Sequence, residues 1–433
     1  MKMNQRILII GGGGREHALA WKLEQSRRIA KIFVAPGNGG TAEIAENVKI
    51  RATDIEGLLA FALEKRIDLT IVGQDDPLAM GIVDLFQKNG LRIFGPSQTA
   101  AEIESSKVFS KDLMNLLHIP TAPFSILSNP EDASSIARRH FASSTEPLVL
   151  KASGLALGKG AYVCGNLEEA KVAIDDIMLT RIYGAAGDQM IIEKFIAGQE
   201  VSIHAFCDGI SFKLFPSAQD HKPIFESDKG PNTGGMGTIA PVPWFTQSKE
   251  VSELILEPIL VGLKEEDRPF KGLLFPGLKI SEDGPVVLEF NARFGDPETQ
   301  VYMRLLKTDL LDIFETCVDG RLHEIDIEWY PGFAACIVLA SSGYPSPDYK
   351  KHIPVTGIKD AELLPGVVVF HAGTARRIDG HLVTSGGRVL GVTGIGATLE
   401  EALKSAYEGV DRIHFEGMQF RKDIGAKSLG VLP

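Results

Sequence analysis

The chain has 433 residues, room for two to four domains at ~150 residues each, and its 44% apolar and 23% charged residues exclude wholesale disorder. Lysine and arginine number 45 against 56 aspartates and glutamates, a net charge of −11, so the chain lacks the footprint of a general nucleic-acid binder. No apolar run approaches the ~20 residues that span a bilayer, and the apolar stretch before Gly11 is too short for a signal-peptide core.

The first hundred residues alternate. Arg6–Ile10 reads as a strand, and Glu16–Glu24 as a helix through His17, Leu19, Ala20 and Leu23. Lys31–Ala35, Asp68–Gly73 and Arg92–Phe94 read as further strands, with helices over Ile55–Leu63 and Gly81–Asn89. This predicts βαβ units and a parallel sheet, one unit over residues 1–104. A helix then runs from near Lys107 to about Leu117.

A small α+β unit follows over 121–195, with strands Pro147–Lys151, Ala161–Cys164 and Gln189–Phe195. Asn166 and Glu169 resemble a capping pair. Val201–Asp208, Ser211–Ala218, Leu273–Ile280 and Pro285–Phe290 suggest a mixed or antiparallel sheet with few helices. The tail gives strands Phe333–Ser341, Gly366–Gly373 and Arg388–Gly394, then a helix over Leu399–Ile413 behind a Thr398/Glu401 capping box. The fold class expected is α/β and α+β multidomain: 1–104, 105–325 and 326–433. No linker or further domain is read at either end. Cys164, Cys207, Cys317 and Cys336 are scattered among apolar segments, which predicts buried reduced thiols and a cytoplasmic protein.

Five segments carry candidate chemistry. Gly11–Gly14 follows a strand and opens a helix, a place where backbone N–H groups meet anions. The dinucleotide fingerprint wants a third glycine where this chain has Glu16, so a sugar phosphate fits better than NAD. A tight turn without ligand is the plain alternative. Lys151 to Gly160 is a glycine loop with Gly158, Lys159 and Gly160 between two strands. It suits a mobile cover for a polyphosphate and lacks the Walker Ser/Thr. Glu193, Phe195 and Glu200 flank a turn that could meet a base and a ribose, though most such acids are merely solvated. Glu289 and Asn291 share one face of a strand by period two and offer oxygen ligands to Mg²⁺. Arg293 follows on that face, suited to phosphate. Asp220, His221 and Lys222, with the glycine-rich 230–237 loop, suit a small polar substrate. For His221, acid–base and structural roles stay open.

Together the strings GGREHALAWKL, VAPGNGGT, IFGPS, GLALGKG, QDHK, GPNTGGMG, LEFNARFGDPETQ, GYP, FHAGT, SGGRVL and FRKDIG span nearly the whole chain. They closely resemble the glycinamide ribonucleotide synthetase family of ATP-grasp ligases. The resemblance implies a Rossmann-like first domain, an ATP-grasp lid (about 121–195), a central ATP-grasp domain and a C-terminal lobe. It implies ATP and Mg²⁺ or Mn²⁺ as cofactors, glycine and 5-phosphoribosylamine as substrates, no nucleic-acid or membrane partner, and a monomer by default. Carried over residue by residue, Lys107, Lys151, Gly158, Lys159, Gly160, Glu193, Phe195 and Glu200 would hold the nucleotide. Glu289 and Asn291 would hold the metal. Gly13, Gly14, Arg15, Glu16, Lys222, Pro231, Asn232, Thr233 and Gly234 would meet substrate. Arg293, Asp296 and Asp220 would work at the reacting centre. The chain departs from the family pattern at Gln74-Asp75-Asp76, Ser153 and Pro223. These departures keep two rivals in view: a ligase for another carboxylate and a silent nucleotide-binding module.

Overall fold

The computed structural model describes residues 2–156 and 159–431. Gly158, expected at the nucleotide, lies outside the described residues.

The first unit is a five-stranded, all-parallel sheet in the order Glu46–Asn47, Ile29–Pro36, Gln5–Gly11, Leu69–Val72, Ile93–Phe94. Within Gln5–Gly11, residues 7–10 form a continuous apolar run because both faces of the strand are covered there. Ile7 and Ile9 pack with Leu19 and Leu23 of helix Gly14–Glu24. Leu8 and Ile10 pack on the other side with Leu58 and Phe86. The strand order turns at Gln5–Gly11, and such switch points open a crevice at the carboxyl ends of the strands.

A four-stranded antiparallel sheet follows: Phe124–Leu127, Met190–Lys194, Leu148–Ala152, Ala161–Cys164. Helices Pro130–Ser143 and Leu167–Ile174 supply alanines to its core. The Asn166/Glu169 pair caps as expected, with Glu169 N–H donating to Asn166 Oδ1 at 3.0 Å. The strand Phe124–Leu127 and helix Pro130–Ser143 were not anticipated.

The next sheet centres on the long strand Lys271–Ser281. The strand expected over Val201–Asp208 is broken in two, Gln199–Ser202 and Ala205–Asp208, each pairing with a different stretch of Lys271–Ser281. His204 sits at the break, buried, stacked on Phe275 at 3.8 Å and hydrogen-bonded to Tyr302 Oη at 2.9 Å. The strand expected over Ser211–Ala218 shortens to Phe212–Leu214. Helices Glu257–Glu265, Glu298–Leu305 and Leu310–Val318 correct the expectation of few helices here. Glu298–Leu305 buries seven of its eight residues, polar Thr299 and Gln300 among them.

The last sheet is antiparallel: Gln219–Asp220, Gly237–Ala240, Phe333–Ala340, Arg388–Gly396, Val368–His371. Its first two strands flank the glycine-rich 230–237 loop. Helix Leu399–Val410 covers it behind the expected Thr398/Glu401 capping box. All four cysteines are free and buried. Among the described residues no helix is long and apolar enough to cross a membrane.

Candidate active site

The glycine turn is closed by its own helix. Gly13 N–H donates to Glu16 Oε2 at 2.5 Å, and Arg15 Nε donates to Glu16 Oε1 at 2.6 Å. A Cβ on Gly73 would stand 2.2 Å from Glu16 Oε1, so the Glu16 side chain fills the space beneath the turn. Arg15 N–H also faces Asp296 Oδ2 at 3.4 Å. Two carboxylates therefore occupy amides that the sequence reading assigned to an anion. Burial alone would raise the Asp296 carboxyl, but Arg388 and Arg15 hold it below the usual carboxylate range. Gly13, Asn38, Arg51, Thr374, Ser385 and Arg388 line an open pocket beside this turn. Asn38 pins its wall: the side-chain amide donates to Gly12 O, Gly13 O and His371 O at 3.1, 3.2 and 2.7 Å.

A second cluster lies where the lid meets the central sheet. Glu193 is buried, and its carboxylate stands 3.0 Å from Lys111 Nζ and 2.9 Å from Lys151 Nζ. Lys151 also donates to Leu288 O at 3.0 Å. Leu288 is the extra residue of a bulge, since Val287 and Glu289 pair with the adjacent residues Leu278 and Gly277. Lys107 donates to Gly154 O at 3.3 Å. Glu289 opens to the cleft. Crowding would raise its carboxyl, but Lys107, Lys151, Lys222 and Arg293 hold it below the usual range. Asn291 Oδ1 accepts from Arg293 Nη2 at 3.0 Å, and Arg293 Nε lies 3.2 Å from Glu104 Oε1. Burial pushes the Glu104 carboxyl up to about 7 against the pull of Arg293. Burial lowers the Lys111 ammonium to about 8, with Glu193 opposing.

Between lid and body runs a wide cleft that Lys159, Phe195, Glu200, Lys222, Pro231 and Asn232 help to line. Lys159 reaches the C-terminal lobe, donating to Pro345 O at 2.9 Å, and Gly160 O accepts from Ala152 N–H at 2.8 Å. Glu200 pairs with Lys279 at 3.1 Å. Glu193, two residues before Phe195, turns inward to its lysines.

Lys222 Nζ lies 2.5 Å from Asp220 Oδ2. Burial would lower this ammonium, but Asp220 and Glu298 raise it above the usual lysine range. Thr233 donates to Lys222 O at 2.7 Å and accepts from Gly235 N–H at 2.9 Å. Gly235 has φ +114°, and a Cβ there would meet Asp220 Oδ1 at 2.5 Å. Gly234 N–H donates to Tyr344 Oη at 3.0 Å. His221 is spent on backbone: Nε2 accepts from Gly425 N–H at 3.1 Å, so Nδ1 donates to Gly237 O at 3.0 Å. This geometry makes it a neutral brace, and burial lowers its basicity in keeping with that.

Sequence reasoning gave no role to Asn38, Glu104, Lys111, Tyr344 or Arg388. Lys111 follows Lys107 by four residues on one helix, a legible same-face signal. Asn38, Tyr344 and Arg388 lie in VAPGNGGT, GYP and SGGRVL, whose sequence names no partner for them. Glu289 and Asn291 are the oxygen donors that could hold a divalent cation. Among the described residues no cluster of three or more His, Cys, Asp or Glu side chains could do so alone.

Comparison with known proteins adds three findings. Models of phosphoribosylglycinamide synthetase match in sequence: its N domain at residues 5–104, its ATP-grasp (A) domain at 105–299 and its C domain at 334–427. Phosphoribosylamine–glycine ligases of Rhodopirellula baltica and Caldanaerobacter subterraneus are 47% and 45% identical, over 98% and 97% of this chain and 98% and 99% of their own. The crystal structure of phosphoribosylamine–glycine ligase from Thermotoga maritima superposes with a TM-score of 0.82 at 32% identity, covering 96% of this chain and 99% of that one.

Proposed function

The chain belongs to the phosphoribosylglycinamide synthetase family, and from that premise we propose how its residues carry the reaction. It joins glycine to 5-phosphoribosylamine with ATP, giving glycinamide ribonucleotide, ADP and phosphate in purine biosynthesis. The glycine carboxylate attacks the γ-phosphorus and ADP leaves. The amine then attacks the acyl carbon of glycyl phosphate and phosphate leaves.

One observation supports the residue roles above the others. The short segment from Glu289 to Asp296 begins among Lys107, Lys151, Lys222 and Arg293 and ends beside Gly13 and Arg388. Phosphoryl transfer and amine capture are thus served by one stretch of chain. Lys107, Lys151 and Lys159 neutralise charge on the phosphates, with Gly160 in the lid backbone that covers them. Glu193 orders Lys151 for this task. Phe195 and Glu200 border the place of the base and ribose. Glu289 and Asn291 would hold Mg²⁺ or Mn²⁺. Two oxygen donors suit an ion that takes its other ligands from water and phosphate. When bound it supplies further neutralisation of the transferring group.

Lys222, Pro231, Asn232, Thr233 and Gly234 shape the glycine site, with Asp220 fixing Lys222. Gly13, Gly14, Arg15 and Glu16 form the wall of the phosphoribosylamine pocket. Asp296, held ionised, offers a negative charge to the ammonium that forms as the amine attacks. Arg293 bridges Glu104 and Asn291 and also donates to Phe294 O, which accepts from Arg15, so it ties the metal side of the site to the glycine turn. Lid closure excludes water from the acyl phosphate. Residues 1–104, 105–325 and 326–433 act as three cooperating units in a cytoplasmic monomer. The deciding experiment supplies ATP, Mg²⁺ and glycine, with phosphoribosylamine generated from ribose 5-phosphate and ammonia. ADP release that requires every component, with the ribonucleotide product seen by mass, is expected. A folded chain that binds ATP without turnover would overturn the assignment.

A further inference from the structure

The peptide of Gly234 is gripped at both ends by the C-terminal lobe. Its N–H donates to Tyr344 Oη at 3.0 Å, and its carbonyl accepts from Arg388 Nη1 at 2.6 Å. The same Nη1 donates to the carbonyl of Asp296 at 2.6 Å and lies 3.7 Å from that residue's carboxylate. The fit is close. A Cβ on Gly234 would stand 2.9 Å from Arg388 Cζ, and one on Gly387 would stand 2.2 Å from the Tyr344 ring. Burial opposes the Arg388 charge, yet Asp296, Tyr344 and Asp220 keep the guanidinium more basic than usual.

Gly234 belongs to the loop given to glycine, and Asp296 to the pocket given to the phosphoribosylamine. Arg388 is therefore a single rigid point from which both substrate sites hang. Both carbonyls are served by one nitrogen, Nη1, whose two N–H directions are fixed by the guanidinium plane, whereas a lysine ammonium rotates freely on a flexible stem. Glycyl phosphate has two fates. The amine captures it, or water does. In the second case the water oxygen bonds to the acyl carbon and the bond to the phosphoryl oxygen breaks. Glycine and phosphate leave, one proton going to phosphate and one to solvent. The relative position of acyl carbon and amine decides between these fates.

We propose that Arg388, with Tyr344, is a positioning pair that couples the two half-reactions, holding the glycine loop in register with the amine pocket so that the acyl phosphate is not lost to water. The inference rests on the function proposed above. It is tested on the full chain by measuring ADP and glycinamide ribonucleotide in the same reaction for the parent, Arg388→Lys and Tyr344→Phe, with melting temperatures alongside. The parent gives one ADP per product. Arg388→Lys is expected to give about 3-fold more ADP than product, or a larger excess, and Tyr344→Phe a smaller excess in the same direction. A loss of folded enzyme lowers both quantities together and leaves their ratio at one, so the ratio separates positioning from structural damage. Should Arg388→Lys not fold, Tyr344→Phe carries the test. A ratio of one in every folded variant overturns the inference. A parent that makes no ribonucleotide overturns the reaction itself, and that arm alone reveals it.

Discussion

Glu16 closes the glycine turn onto its own helix, its carboxylate accepting the Gly13 N–H at 2.5 Å. A dinucleotide fold has glycine there for close packing of helix on strand, and Glu16 instead takes up the helix N-terminal amide that would meet a pyrophosphate. The acid both braces the turn and excludes that cofactor. Glu16→Ala takes the acceptor from the half-buried Gly13 N–H and leaves the Arg15 guanidinium with Phe294 O but without its adjacent carboxylate. It should cost about 2–4 kcal/mol in denaturant unfolding. The KM for phosphoribosylamine should rise while that for ATP holds. An unchanged unfolding midpoint would show that the ring of hydrogen bonds is not what holds the turn.

Glu289 stands among four cations and faces the open cleft, so removing its carboxylate should disturb the site more than the fold. Glu289→Ala is expected to lower turnover by about 10³-fold or more, with only a small change in melting temperature. Titration of Mg²⁺ should no longer reach saturation at concentrations that saturate the parent. Near-normal turnover at ordinary Mg²⁺ would refute its assignment as a ligand.

Four strands of the first sheet are legible because each carries a short apolar run bounded by turns, and the runs alternate with helices, whereas the edge strand Glu46–Asn47 is two polar residues with no pattern to mark it. Phe124–Leu127 is not legible either, since none of its four residues is fully buried and no alternation marks it. Helix Pro130–Ser143 does carry a start signal in the sequence, Asn129 as cap and Pro130 in the first turn. In the site, glycine-rich strings located the loops. They could not show what the loops touch. Asn38 meets His371 across 333 positions, and Arg388 meets Gly234 across 154. Such pairings are set by tertiary packing, and one sequence contains no spacing rule that reports them.

Lys111 gives a pH signature. Burial depresses its ammonium to about 8 in the folded chain, against an unfolded value near 10.5. Between those values the unfolded chain binds the extra proton, so Lys111 contributes stability that grows as pH rises. Below about pH 8 the buried charge instead counts against the fold. The unfolding free energy of the parent minus that of Lys111→Met should climb by up to about 3 kcal/mol from pH 8 to 10.5. A difference that is flat across this range would mean that Glu193 compensates the burial in full.

Asn38 offers a sharper test, because its amide serves opposite roles on its two sides. Oδ1 accepts the N–H groups of Gly40 and Thr41 at 2.9 and 3.0 Å. The amide nitrogen faces three carbonyls, two on the glycine turn and one on strand Val368–His371. Asn38→Asp preserves size and the accepting side, but sets an ionised oxygen against three carbonyl oxygens. The expected cost is about 2–4 kcal/mol at pH 8. The KM for phosphoribosylamine should rise about 10-fold, with that for ATP unmoved. Protonation restores a donor on that side, so the introduced carboxyl has its folded pKa raised. Its relative stability is then present in acid and lost as pH rises. The gap in unfolding free energy between parent and variant should therefore narrow from pH 8 to pH 5. An equal gap at both would mean that the donors of Asn38 do not bind the first and last units together.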